Sequence, residues 1–420
     1  MNDYYLKRKN CYRLLLMVLL GILVVTVLPV MVLSALDGSI LIVISQGQQL
    51  SITVNGIALV FCAWAMFQFQ KYPHKHSIAY LMPTVMVVYG SIILALWLLR
   101  ADYSIKLILL GIVCTLFFLI GLQRILNRYA ALTLCFIPQG DISLLTDTKY
   151  LRFIALSKPE LPAETFNGVV VDLHNRQLSA EWERFLAKCT LQKIPVYNAL
   201  QLVEKMTGKT NVEHLVENEF GSLAPSAVLP IVKRVFDTAV ILLIAPLLGP
   251  IMAAIAVWIR YDSRGGALFI QDRVGMGGQT FRMVKFRSMI IEHNGHHFTQ
   301  ENDGDRITRV GRIIRKYRLD ELPQFWNVLI GEMSLIGPRP ESLALAQWYE
   351  KEVPFFEYRH VVRPGISGWA QVKQGYAAEV EGMKEKLAYD FYYIKHFSFW
   401  LDLLIWYKTF RTVCSGFGAR

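Results

Sequence analysis

Apolar positions along this chain fall into three regimes. Over the first 125 residues they form long runs at 14–33, 50–69, 79–99 and 105–122, each long enough to cross a bilayer as a helix. From about 130 to 226 the runs shorten and polar stretches separate them. Segments 133–137, 151–156, 168–173 and 194–198 read as strands, and 181–189 and 200–206 as helices. Strands alternating with helices predict a small parallel α/β layer. Beyond 228 the pattern is mixed and mostly helical. The expected architecture is a membrane α/β protein in three parts: a four-helix transmembrane bundle over 1–128, a small α/β domain over 129–227, and a mostly α domain over 228–420.

One further apolar segment, 235–259, opens the third part and contains Pro246 and Pro250. Proline inside a helix removes a backbone hydrogen bond and clashes with the preceding turn. Lys233 and Arg234 stand before the segment, Arg260 and Arg264 after it. Both flanks therefore prefer the same side of a membrane, and the expectation is a re-entrant helix-break-helix. Near the end, 397–413 mixes bulky apolar residues with Asp402, Lys408 and Arg411 and reads as an amphipathic interfacial helix.

Basic residues orient the bundle. Lys7, Arg8, Lys9 and Arg13 precede the first run, Lys71 and Lys75 separate the second from the third, and Arg124 and Arg128 follow the fourth. The first intervening loop has neither Lys nor Arg, so both ends of the bundle face the cytoplasm. The turn from Arg100 to Lys106 runs weakly against this rule. A net charge of +11 would suit nucleic acid, but with four membrane runs it points to membrane lipids and phosphorylated substrates, and no nucleic-acid partner is expected. The six cysteines are scattered without metal-ligand spacing and read as reduced apolar residues.

The candidate chemistry lies in Arg318-Leu319-Asp320-Glu321-Leu322-Pro323-Gln324, followed by Gly337-Pro338-Arg339-Pro340. Adjacent side chains point in different directions on any regular element. One carboxylate can therefore attack an electrophile while the other holds a metal or takes up a proton. Lys285, Arg287, Arg306, Arg309, Arg312, Arg315, Lys316, Arg318 and Arg339 supply cations suited to a phosphate-rich substrate. A solvated basic helix accounts equally well for 306–318 taken alone, but not for the Pro-Arg-Pro. Proline on each side restricts Arg339 and preorganises its guanidinium for phosphate. Lys285 and Arg287 share one face at strand spacing, with Phe286 opposite, and would suit a diphosphate, a lipid phosphate or anionic headgroups.

Other features carry less. The stretch 274–278 is glycine-rich and reads as a tight hairpin. His293, His296 and His297, like Asp303 and Asp305, sit in polar loops. No Gly-x-Gly-x-x-Gly follows the first strand of the middle part, leaving Asp172 at a strand end as a weak ribose candidate. Tyr389, Tyr392, Tyr393 and Trp400 read as packing residues.

Five stretches together, Gln271-Asp272-Arg273-Val274-Gly275, Lys285-Phe286-Arg287-Ser288-Met289, 319–327, 333–340 and Arg363-Pro364-Gly365-Ile366, resemble the bacterial sugar transferase family over about 229–418. These are monotopic polyprenyl-phosphate phosphoglycosyl transferases, whose larger members place a four-span bundle and a Rossmann-like module ahead of the catalytic domain. The resemblance implies transfer of a sugar-1-phosphate from a nucleotide diphosphate sugar, UDP-glucose or UDP-galactose, to undecaprenyl phosphate, with release of UMP. It implies Asp320 as nucleophile and Glu321 helping to hold Mg²⁺. The residues themselves offer Arg339, Arg315, Lys285, Arg287 and Arg318 as substrate or phosphate contacts, and Arg363, within a motif that resembles the family's, either lines the sugar pocket or forms a structural turn. Spacing alone does not say which carboxylate attacks. Arg318 stands where many members carry Ser. The expected location is the bacterial inner membrane with the catalytic part on the cytoplasmic face, beginning a lipid-linked glycan for capsule, exopolysaccharide or O-antigen. A homodimer would suit the middle part.

Rival readings predict different features. A polytopic hexosamine-phosphate transferase requires about ten spans with aspartates in the loops between them. A processive glycosyltransferase requires a separate nucleotide-binding domain with an Asp-x-Asp site. A non-catalytic ligand-sensing or polysaccharide-assembly module has no need of Asp320.

Overall fold

A computed structural model describes residues 2–36, 45–69, 72, 80–128, 132–140, 151–162, 166–173, 178–210, 228–290, 306–374 and 380–415. The histidines at 293, 296 and 297 and the aspartates at 303 and 305 lie outside these. The chain forms two compact units, Met1–Gly208 and Lys209–Arg420.

In the first unit, α1 (Asn2–Leu36), α2 (Gln46–Phe69), α3 (Leu81–Leu98) and α4 (Ile105–Arg128) contain the four expected apolar runs. Helices α2 and α4 each pack on the other three, and α2 buries Val54, Ala58, Leu59, Cys62 and Met66. Two hydrogen bonds between helices lie inside the bundle. Asn55 donates to the Leu107 carbonyl at 3.0 Å, and the side chain fits because a Cβ at Gly111 would lie 2.3 Å from it. Tyr89 and Thr115 share a 2.9 Å hydrogen bond. Outward positions such as Leu16, Leu19 and Phe117 are exposed and apolar. A helix apolar all round belongs in a core or a membrane.

Strands β1 (Leu132–Phe136), β2 (Leu151–Ala155), β3 (Gly168–Val171) and β4 (Val196–Asn198) form a parallel sheet in the order β2-β1-β3-β4. Alternation sends Cys135, Val169 and Val171 to one face, against Trp182, Phe185 and Cys189 of α5 (Ala180–Leu191). Leu134 and Val170 face the other way, against Ala199 and Leu202 of α6 (Ala199–Thr207). The weak ribose candidate Asp172 is buried, and its carboxylate occupies the space beside Gly140, where a Cβ would meet it at 2.5 Å.

The second unit opens with α7 (Val228–Asp262). The expected break at its prolines is absent: helix runs through Pro246 and Pro250 without interruption. Each proline removes a single N–H, and at i,i+4 both lie on one face, so the rest of the ladder persists. Both ends of α7 are gripped by the same unit. Arg234 donates to the Val328 and Leu329 carbonyls, Asp237 accepts from Ser334 and the Leu335 amide, and Lys233 pairs with Asp402. At the far end Asp262 accepts from the Val310 amide at 3.1 Å, and Ile255 and Ile259 join a core with Phe286 and Ile314. Between the two grips, Leu242, Leu243 and Leu247 are exposed.

A hairpin of β5 (Leu268–Val274) and β6 (Thr280–Phe286) follows. Gly277 and Gly278 take the positive φ its turn requires. Then come α8 (Arg309–Lys316), a 3₁₀ turn (Leu319–Glu321), α9 (Gln324–Ile330), β7 (Ser334–Ile336), α10 (Leu343–Glu352), β8 (Gly365–Ser367), α11 (Trp369–Lys373), α12 (Val380–Lys395) and α13 (Phe399–Ser415). Helix α13 covers the expected amphipathic segment: Leu401, Leu404 and Ile405 are buried, while Trp406 and Phe410 are exposed.

Candidate active site

The carboxylates sit on a turn that local sequence enforces. Thr308 caps α8 by accepting from the Gly311 amide, and the helix ends at Tyr317. Arg318 then adopts a left-handed conformation, φ 53°, uncommon for a long side chain. The reversal starts the 3₁₀ turn, with the Glu321 amide bonding the Arg318 carbonyl. Asp320 is thereby left half-buried and Glu321 buried.

Glu321 and Arg339 form the central contact, with Arg339 Nη1 donating to Oε1 at 3.0 Å. Arg318 Nη1 approaches the same oxygen at 3.5 Å. Arg339 is held from behind at its backbone. Arg359 donates to the Arg339 carbonyl at 2.9 Å, and Arg273 donates to the Pro340 carbonyl at 2.9 Å. Arg359 is tied to Asp390 at 2.8 Å and lies near Glu341, which also pairs with Lys386. This buried group of four charges fixes the residue that follows the Pro-Arg-Pro. Burial works against the Glu341 charge, but Lys386 and Arg359 outweigh it and bring its pKa down to about 2.

Glycines bring the Gly337–Pro340 and Arg363–Ile366 motifs together. The Gly365 amide donates to the Pro338 carbonyl at 2.9 Å, and the Gly337 amide to the Ser367 carbonyl at 2.8 Å. A Cβ on Gly365 would lie 2.0 Å from the Gly337 nitrogen, and one on Gly368 2.3 Å from the Gly337 oxygen. Only glycine permits that approach.

The environment separates the two acids. Burial, then the neighbouring Glu321, raises Asp320 to about 6, against the pull of Lys285, Arg339 and Arg315. For Glu321 burial acts upward too, but Arg339, Lys285 and Arg318 outweigh it and the net shift is downward. Burial and Arg339 lower Lys285 to about 8, although both carboxylates favour its charged form. The dyad thus holds one firmly ionised carboxylate and one more basic carboxylate that ionises close to neutrality.

The structure gathers Asp320, Glu321, Lys285, Arg315, Arg318 and Arg339 into one electrostatic group. It does not bring Arg287 or Arg363 there. Past the end of β6, the Arg287 guanidinium turns to the end of α7, donating to the Arg264 and Ser263 carbonyls and to Ser263 Oγ. These carbonyls lie just past the C-terminus of α7, where the helix dipole favours such a cation. Arg363 donates to the Gly331 carbonyl at 3.1 Å. Arg273, Glu341, Arg359, Lys386 and Asp390 were not expected at the site. Only Arg273 and Glu341 carried a signal, from their places beside the motifs. Tyr392 and Tyr393 are buried packing residues, Tyr393 donating to Asp402 at 2.9 Å.

Among the described residues no group of three or more His, Cys, Asp or Glu stands together to hold a metal. Two carboxylates beside Lys285, Arg315, Arg318 and Arg339 suit Mg²⁺ nevertheless, because that ion binds through one or two carboxylates plus substrate phosphates and keeps several waters.

The long apolar helices suggest a membrane protein, and comparison with known proteins makes it a phosphotransferase. The family described as bacterial sugar transferase matches residues 228–416. The UDP-N-acetylgalactosamine-undecaprenyl-phosphate N-acetylgalactosaminephosphotransferase of Aeromonas hydrophila is 45% identical over 366 residues, 87% of this chain and 86% of that one. The UDP-glucose:undecaprenyl-phosphate glucose-1-phosphate transferase of Caulobacter vibrioides is 41% identical over 192 residues, 45% of this chain and 72% of that one. That of Escherichia coli is 40% identical over 195 residues, covering 46% and 41%. The chain belongs to the bacterial sugar transferase family.

The charge arrangement generates a pH profile. With Asp320 active as the carboxylate and Lys285 active when charged, kcat/KM should be bell-shaped, falling below about pH 6 and above about pH 8. In Lys285→Arg the acid limb should stay and the alkaline limb should move upward, as initial rates across pH would show.

Proposed function

We propose that this enzyme transfers a sugar-1-phosphate from a UDP-sugar to undecaprenyl phosphate through a covalent intermediate on Asp320, releasing UMP. The observation that carries this reading is the split of the dyad. Arg339 engages Glu321 at 3.0 Å and leaves Asp320 as the more basic carboxylate, which ionises near neutral pH. A carboxylate oxygen of Asp320 attacks the phosphorus that bears the sugar. The phosphoanhydride bond breaks, and UMP leaves with its electron pair. An oxygen of the lipid phosphate then attacks the same phosphorus, and the Asp320–phosphorus bond breaks to restore the carboxylate.

Arg339 and Lys285 stabilise the charge that develops on the phosphoryl oxygens. Arg315 contributes the same sign from the last turn of α8. Glu321, with Asp320, would hold Mg²⁺ and orient the attack. Mg²⁺ supplies charge neutralisation of the diphosphate and its leaving group.

The relative similar along nearly its whole length is named for an N-acetylgalactosamine donor, whereas the glucose transferases match less than half of this chain. That moves the first donor to test from UDP-glucose or UDP-galactose to UDP-N-acetylgalactosamine. Both ends of helix α7 lie on the cytoplasmic side, since one unit grips both of them, and its exposed apolar middle rests in the cytoplasmic leaflet. The catalytic unit then rests on the cytoplasmic face of the inner membrane, where it begins a lipid-linked glycan.

Wild-type enzyme with undecaprenyl phosphate should release UMP from one sugar in a panel of UDP-sugars. Asp320→Asn should lower release by at least about 10⁴-fold with an unchanged melting temperature, and retained release would remove Asp320 as nucleophile. Chelation of divalent metal should stop turnover, and added Mg²⁺ should restore it. Single cysteines placed at 232 and 263 should both label from the cytoplasmic side. Labelling from opposite sides would make α7 a span.

A further inference from the structure

Beside the dyad lies a cleft of about 190 Å³ between the carboxylate turn, α9, β8, α11 and α13. Its walls are Leu322, Phe325, Ile366, Val372 and Val413, and Arg318 and Glu321 stand at its edge. The hydroxyls that face it are directed elsewhere. Thr409 donates to the Ile405 carbonyl, Thr412 to the Lys408 carbonyl, and Ser367 bonds Thr409. These three residues thus offer the cleft mainly carbon, and its polar lining comes from Tyr317 and from Gln371, whose Nε2 donates to the Ile366 carbonyl at 3.2 Å while its Oε1 is buried without a partner.

That lining selects between the two substrates. A nucleotide sugar carries hydroxyls around both of its rings, and burying one without a partner costs about 1–3 kcal/mol. The acceptor is a phosphate on a branched hydrocarbon, and matches an apolar cleft with a cation at its edge. Arg318 is only loosely engaged with Glu321, at 3.5 Å, and can turn toward an arriving phosphate. Access fits as well. At 100° per residue, Trp406 and Phe410 lie next to Thr409 and Val413 around α13, so the exposed apolar stripe of that helix continues into the cleft.

We propose that the cleft seats the isoprene units nearest the phosphate of the polyprenyl acceptor and so aligns that phosphate with the dyad. The proposal rests on the acceptor assigned above and deepens it.

The test uses the full chain in nanodiscs and compares wild type with Val372→Phe, which fills the cleft, and Val372→Ala, which enlarges it without steric risk. KM for undecaprenyl phosphate should rise at least tenfold in the first and about threefold in the second. KM for the donor, and the burst of UMP formed without acceptor, should stay at wild-type values. Acceptor KM values within twofold of wild type in both variants would overturn the cleft assignment. So would a parallel loss of the burst or a rise in donor KM, which would give the cleft to the donor. A wild type that transfers normally but shows no burst would instead contradict the covalent intermediate, and the acceptor KM values would still decide the cleft.

Discussion

The ion pair between Glu321 and Arg339 is the contact on which the rest of the catalytic unit depends. Two carboxylates on neighbouring residues repel when both are ionised. At an effective dielectric near 20, charges about 4 Å apart interact by roughly 4 kcal/mol, enough to move a pKa by about three units. A single well-placed guanidinium therefore decides which of the two stays ionised. Arg339 reaches Glu321, and Asp320 keeps the higher pKa. A more basic carboxylate is the better nucleophile provided it is ionised at working pH.

Much of the surrounding architecture serves to hold Arg339 still. Its flanking prolines restrict the backbone, Arg359 and Arg273 grip the neighbouring carbonyls, and glycines at 337, 365 and 368 let two strand ends meet. The buried Glu341–Lys386 and Arg359–Asp390 pairs stand behind that loop. Removing one partner from such a group leaves a charge buried alone and costs several kcal/mol. The substrate side differs. Lys285, Arg315 and Arg318 approach the dyad without closing tight pairs, which keeps their charge available to phosphate.

The sequence made much of this legible where one period or one motif carries the signal. Long apolar runs marked α1–α4 and alternation marked the parallel sheet, because those patterns follow from burial alone. The dyad and Pro-Arg-Pro were legible as chemistry, since adjacent acids and a proline-flanked arginine serve poorly as mere surface. What stayed hidden depends on contacts across sequence distance. Arg287 and Lys285 share a strand face, yet Arg287 lies past the strand end, where carbonyls just past the end of α7 capture it. Lys386 and Asp390 sit on α12 with nothing local to distinguish them from a solvated face. The prolines at 246 and 250 suggested a break, but two missing donors on one face leave the helix continuous.

The proposed reaction requires Asp320 to become covalently bonded to phosphorus. The most direct measurement incubates the enzyme with its UDP-sugar and no acceptor, quenches in acid, and maps the adduct by peptide mass spectrometry. A sugar-phosphate mass on the peptide containing Asp320, absent in Asp320→Asn and discharged by undecaprenyl phosphate, is the expected result. UMP release at full rate with acceptor present and no adduct at any time would contradict it, and so would an adduct on Glu321.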